Sequence, residues 1–178
     1  LANTLTCNSI YLRQIMQQYA AGKSDDLAYR LARRNAHNAD AALSTTLANM
    51  LMEPGHFRKE ADVGFRFLVL SHTLLSYLSG LGAHRDTPLP AEVREHLIDG
   101  AGKTLAASID EIATGLANKQ PIAIQSDAEE ALAADLEQMP DEIDEGQRLV
   151  QTQLALICRQ LGPLRTLAAH LIKDTGAA

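Results

Sequence analysis

Apolar residues recur every three to four positions along most of this chain, the spacing of one buried helix face. The clearest case is residues 29–55, YRLARRNAHNADAALSTTLANMLMEPG. Ala32, Ala36, Ala39, Leu43, Leu47 and Met50 form an apolar stripe there, small enough for a neighbouring helix to come close. Arg33, His37, Asp40 and Ser44 fall at i, i+4, i+7 and i+11, so they line up as a polar stripe beside it. Glu53-Pro54-Gly55 predicts a hard stop, because proline disfavours the helical region at the residue before it.

The same pattern predicts the remaining elements. A first helix runs from Asn3 or Ser9 to Tyr19, with Ile10, Leu12, Ile15 and Met16 apolar, and Gly22 ends it. Ser24 is the expected N-cap of the long helix, with Asp25 and Asp26 in its first turn. A third helix spans about residues 57–81, and the stretch from Asp86 to Pro90 is a turn. A fourth runs over about 91–118, weakened by Gly100, Gly102 and Gly115, so its middle is kinked or closely packed. An extended connector at 121–124 precedes a short helix capped by Ser126-Asp127 and broken at Met139-Pro140. The last helix reaches about Lys173, with Asp141, Glu142, Asp144 and Glu145 at its start and a kink expected at Pro163.

These elements predict an all-α fold, an antiparallel bundle of four long helices plus one or two short ones, in a single soluble helical domain over residues 1–178. The expected core is Leu27, Leu31, Leu43, Leu47, Phe65, Leu68, Leu75, Leu78, Leu105, Ile109, Ile112, Leu154, Ile157 and Leu161.

Composition agrees: the chain is 46% hydrophobic but only 4% aromatic, which favours closely packed helices over a β-branched, aromatic sheet. A net charge of -6 argues against a general nucleic-acid binder. The charge is uneven, +3 over residues 1–85 and -9 over 86–178. The basic half suits anionic lipid headgroups or an acidic partner, or is ordinary solvated surface. Cys7 and Cys158 show neither metal-ligand spacing nor a disulfide framework and suit a reducing compartment. The least charged stretch, residues 67–83, is shorter than the roughly 20 apolar residues a membrane span requires. It reads as a central helix. The chain begins with Leu rather than Met, which reads as a piece of something longer.

Candidate chemistry is sparse. Gly100-Ala101-Gly102-Lys103-Thr104 imitates a phosphate loop, but Leu97 stands where that motif needs glycine, and a helix precedes it instead of a strand. His37 with Asp40 and His96 with Asp99 share one spacing. On facing helices the four could hold a metal or build a small-ligand sensor, although the usual di-metal order of a helical bundle is missing. A hydrogen-bonded interhelical layer is the plainer reading. His56 is isolated, and His72 reads as a satisfied core or interface histidine. Arg30, Arg33 and Arg34 contact an anion or, more plainly, pair with Asp25, Asp26 or Asp62. No nucleophile or acid–base pair is assembled, so the chain does not read as an enzyme and no cofactor is expected.

The stretch 11–86, and above all Ala32-Arg33-Arg34-Asn35-Ala36-His37-Asn38-Ala39-Asp40-Ala41-Ala42-Leu43-Ser44 followed by Glu53-Pro54, resembles the C-terminal soluble region of the YccS/YhfK family of bacterial inner-membrane proteins, in the fusaric-acid-resistance and aromatic-acid-exporter superfamily. From Pro88 onward the likeness is vague. The resemblance implies a parent with membrane helices upstream of residue 1, this part on the cytoplasmic face of the inner membrane, and efflux of an organic anion or aromatic compound by the parent. It brings no catalytic residues. The expectation is therefore an accessory domain for assembly or coupling, with its own transmembrane region as partner, self-association, and Arg33, Arg34, His37, Asp40 and His72 as the interhelical or subunit-contact layer.

Overall fold

A computed structural model describes residues 1–22, 26–52 and 58–176, without the side chains of 58–61 and 174–176. Its elements are α1 (Ala2–Ala21), α2 (Leu27–Met52), α3 (Arg58–Ala83), α4 (Ala91–Arg94), a π-helical segment (Glu95–Gly102), α5 (Lys103–Asn118), α6 (Asp127–Glu137) and α7 (Glu145–Gly176). No strand occurs among the described residues.

The helices end where local chemistry stops them. Gly22 follows α1 with φ 84°, a backbone value that costs glycine little. At the start of α2, Asp26 Oδ1 accepts from the Ala28 N–H. Asp26 thus acts as a cap; Ser24, the predicted one, and Asp25 lie outside the described residues. α2 ends at Met52, and Glu53-Pro54-Gly55 and His56 also lie outside. The Ser126 hydroxyl caps α6, accepting from the Glu129 N–H. Asp144 caps α7 by accepting from Gly146 and Gln147. Of the four acids expected in the first turn of α7, only Glu145 lies there; Asp141 and Glu142 sit in the preceding turn.

The predicted fourth helix is continuous but changes winding. Its Glu95–Gly102 stretch is π-helical, and Gly102 lies so close to Met16 that a Cβ there would overlap the sulfur. Two glycines within three residues remove the side-chain packing that keeps an α-turn tight, and α1 fills the space. Pro163 lies inside α7.

α1 packs against α2, α3 and α5, while α7 packs against α3, α5 and α6. Their shared core holds Leu5, Leu12 and Ile15 of α1, Phe67, Leu74 and Leu78 of α3, Leu105 and Ile109 of α5, and Leu154, Leu161 and Leu164 of α7. Leu47, Leu75, Leu78, Leu105, Ile109, Ile112, Leu154, Ile157 and Leu161 are buried as their spacing predicts.

Five expected core residues are not in it. Leu27 and Leu31 are exposed, and Leu43, Phe65 and Leu68 are half-buried. Ile10 is exposed as well. For Leu27 and Leu31 the reason is rotational: α2 touches the bundle through Tyr29, Ala32, Ala36, Ala39 and Leu47. At about 100° per residue, Leu27 and Leu31 fall far round the helix from that stripe.

Candidate functional site

The predicted polar stripe lies on the flank of α2 that faces α3. Asp40 Oδ2 accepts from His72 Nδ1 at 2.8 Å, and Ser79 Oγ lies 3.4 Å from His37 Nε2. These two contacts, three residues apart on α2 and seven apart on α3, hold α2 against α3. Asp40 is largely buried, but the His72 side chain is 64% exposed, so of the two places expected for it, core or interface, His72 takes the interface, at the exposed edge of the α2–α3 contact. The other Asp40 oxygen, Oδ1, is buried with no hydrogen-bond partner among the described residues. His37, Arg33 and Arg34 are exposed. The structure thus joins Asp40 to His72 and His37 to Ser79, and leaves Arg33 and Arg34 at the surface.

Below this seam lies a buried tyrosine cluster. The Tyr11 and Tyr29 hydroxyls are 3.4 Å apart, with their rings tilted at 55°. Gly82 of α3 approaches both hydroxyls so closely that a side chain there would displace one of them. Arg85 stacks over the Tyr29 ring at 4.3 Å and donates to the Gly82 carbonyl. Tyr19 donates to the Leu81 carbonyl at 2.8 Å. Burial pushes the Tyr11 and Tyr19 hydroxyls well above their ordinary range; for Tyr11 the bond to Tyr29 adds to this, and Arg33 opposes it.

His96 and Asp99 are elsewhere. His96 pairs with Asp135 of α6 at 2.9 Å, and Asp99 lies 4.0 Å from Lys103. The two His-x-x-Asp pairs therefore do not converge. No group of three or more metal-ligating side chains forms among the described residues. Gly102 and Lys103 of the phosphate-loop imitation lie within helix.

Sequence reasoning missed the most buried charge. Arg165 of α7 is 1% exposed. Its guanidinium bonds Glu129 of α6 at 2.6 Å and Glu111 of α5 in a two-toothed contact at 3.0 and 2.9 Å, and it reaches the Ala123 carbonyl. Hydrogen bonding to Arg165 pulls the Glu111 carboxyl below its usual range. Cys158 donates to the Glu129 carbonyl, and burial first, then the Glu129 charge, pushes its thiol up to about 11. No local pattern announces this group, since its members come from three helices.

An open groove of about 900 Å³ runs between α3 and α7, lined by Val63, Val69, Leu70, Leu167, Leu171 and the basic Arg66 and His170 among others. No described helix is long and apolar enough to cross a membrane.

Fold and site together define an all-α helical bundle in which polar groups such as Asp40–His72 and the Arg165 cluster join neighbouring helices. Over 99 residues, 56% of its length, the chain is 42% identical to the inner membrane protein YccS of Escherichia coli, and it shares a family with that protein. It is 41% identical over 132 residues, 71% of its length, to an uncharacterised Haemophilus influenzae protein, a likeness that must extend past Asp86. It is also 37% identical over 78 residues, 43% of its length, to an uncharacterised protein, ORF2, of Neisseria gonorrhoeae. The matched stretches cover only 18%, 14% and 19% of the Haemophilus, Escherichia and Neisseria proteins. No protein-family profile and no solved structure matches the chain.

Proposed function

We propose that this chain is a non-enzymatic cytoplasmic domain of an inner-membrane exporter-like protein, acting in assembly or in coupling to the membrane part. The observation that carries this reading is the 42% identity to the inner membrane protein YccS, of which the matched stretch is 14%. The seam supports it: Asp40–His72 and His37–Ser79 lie at the surface of a helix pair, where polar groups set register and contacts. Efflux of an organic anion or aromatic compound belongs to the proposed parent and not to this domain.

Reporter fusions placed after residue 178 of the natural full-length protein test the placement. A cytoplasm-dependent fluorescent reporter should be bright and a periplasm-dependent phosphatase inactive; the reverse pattern rejects the reading. For assembly, sedimentation of the 178-residue chain should show concentration-dependent self-association, weakened by Arg33→Ala with His37→Ala. A strictly monomeric chain at high concentration removes the assembly role and leaves coupling.

A further inference from the structure

α2 has a face that the bundle does not use. Tyr29, Ala32, Ala36, Ala39 and Leu47 point inward. At about 100° per residue, the side roughly opposite carries Leu27, Arg30, Leu31, Arg34, Asn38, Ala41, Thr45, Ala48 and Met52, and every one of them is exposed. Leu27 is 62%, Leu31 46% and Met52 85% exposed. Those are large apolar side chains left in water at both ends of one helical strip, with Arg30, Arg34 and otherwise small or uncharged residues between them. The Thr45 hydroxyl is turned back onto its own helix, bonding the Ala41 carbonyl at 3.0 Å. The strip carries two arginines and no carboxylate; the acidic residue of α2, Asp40, is on the seam instead. A solvated helix face normally mixes both signs of charge and hides its leucines. A strip that pairs exposed leucines with arginines alone matches an anionic lipid surface, which offers phosphates to the guanidiniums and a hydrocarbon boundary to the leucines.

We propose that the outer face of α2, led by Leu27, Arg30, Leu31 and Arg34, lies on the anionic headgroup surface of a membrane. The helix lies in the plane of that surface and does not enter it: its inner stripe stays committed to α1 and α3. Charge complementarity selects this occupant, because the strip carries Arg30 and Arg34 and no carboxylate in a chain that is acidic overall. The inference rests on the membrane placement proposed above. A domain already tethered beside a bilayer needs only weak intrinsic affinity, since tethering supplies a high effective concentration.

Co-flotation of the 178-residue chain with vesicles tests it. One vesicle set is phosphatidylcholine alone, the other phosphatidylcholine with about a third phosphatidylglycerol. The chain should float with the anionic set only, and less so as salt is raised. Arg30→Gln with Arg34→Gln should weaken binding roughly fivefold for each arginine removed. Leu27→Ser with Leu31→Ser should weaken it several-fold while leaving the helical circular dichroism unchanged, because both side chains are already exposed. Lys119→Gln with Lys173→Gln removes the same charge elsewhere and should change nothing. Absence of flotation with anionic vesicles overturns the proposal. So does an equal loss in the charge-matched control, which would mean a diffuse net-charge effect. Self-association that the α2 changes abolish, without vesicle binding, would assign the face to a second copy and also overturns it. The reporter fusions read membrane placement independently, so a cytoplasmic result with no flotation rejects only this inference.

Discussion

Arg165 shows what one buried charge commits a fold to. Its guanidinium is taken out of water entirely, and the cost is offset by two carboxylates and a carbonyl. Replacing it leaves Glu129, itself buried, with an uncompensated negative charge. Arg165→Met should lower stability by about 3–5 kcal/mol in urea denaturation, and Arg165→Lys should recover little, because lysine cannot match the two-toothed contact with Glu111. A loss below about 1 kcal/mol would mean that Glu129 finds water or another donor once the arginine is gone. The Asp40–His72 pair is the contrasting case. It is just as short, but His72 is mostly in solvent. A double-mutant cycle on the pair should give no more than about 1 kcal/mol. The value of these residues to the molecule is the register they set.

At the level of elements, close approach is concentrated at a few glycines. Gly82 is one of them, and its neighbours are the hydroxyl ends of two rings, Tyr11 and Tyr29, held by packing, by each other and by Arg85. Gly82→Ala should cost about 1–3 kcal/mol, the usual range for overpacking, despite alanine's better helix propensity. A thermal melt that rises would show that the tyrosines can move aside. Helix existence and the Ser126 cap of α6 were legible in the sequence, because proline, glycine and Ser126 act locally, whereas the capping by Asp26 and Asp144 was not read from it. Inward rotation was legible only in part. The stripe of Ala32, Ala36, Ala39 and Leu47 turns inward as its spacing predicts, whereas Leu27 and Leu31, also expected in the core, lie far round the helix from it and are exposed. Local spacing shows which residues share a face but not which face meets a neighbour. The seam was partly legible for the same reason: Arg33, His37, Asp40 and Ser44 share a flank, but only the structure shows that Asp40 meets His72 and His37 meets Ser79. The Arg165 cluster was not legible at all, because the distance from Glu111 to Arg165 along the chain carries no periodic signal.

At the scale of the whole molecule, the protonation state of buried groups ties stability to pH, and the sign differs at the two ends. Cys158 titrates near 11 in the folded chain against an ordinary value of 9, because its thiolate would be desolvated and would face Glu129. Tyr11 and Tyr19 are shifted in the same direction, chiefly by burial. These groups keep their protons in the folded state after the unfolded chain has released them. Below their ordinary values both states are protonated and the groups leave stability unchanged. As pH rises through the unfolded values toward the folded ones, the unfolded state gains and stability falls, with a slope of up to about 1.4 kcal/mol per pH unit for each group. At the acid end the sign inverts. Arg165 holds the Glu111 carboxyl down, so its contribution is present above the ordinary carboxylate range and is lost as pH falls through the folded value. Glu111 is half-exposed, so solvent screens this effect. Urea midpoints measured from pH 4 to 11 should therefore stay level near neutrality, decline gently on the acid side and fall steeply above about pH 9, close to the ordinary thiol value. Cys158→Ala should make the alkaline limb shallower between about pH 9 and 11. In parallel, a thiol reagent at about pH 8 should leave Cys158 unmodified until urea unfolds the chain, because the reacting species is the thiolate. A flat profile to about pH 10.5, together with fast native labelling of Cys158, would mean that water reaches the α6–α7 contact and that the burial around Arg165 is not closed.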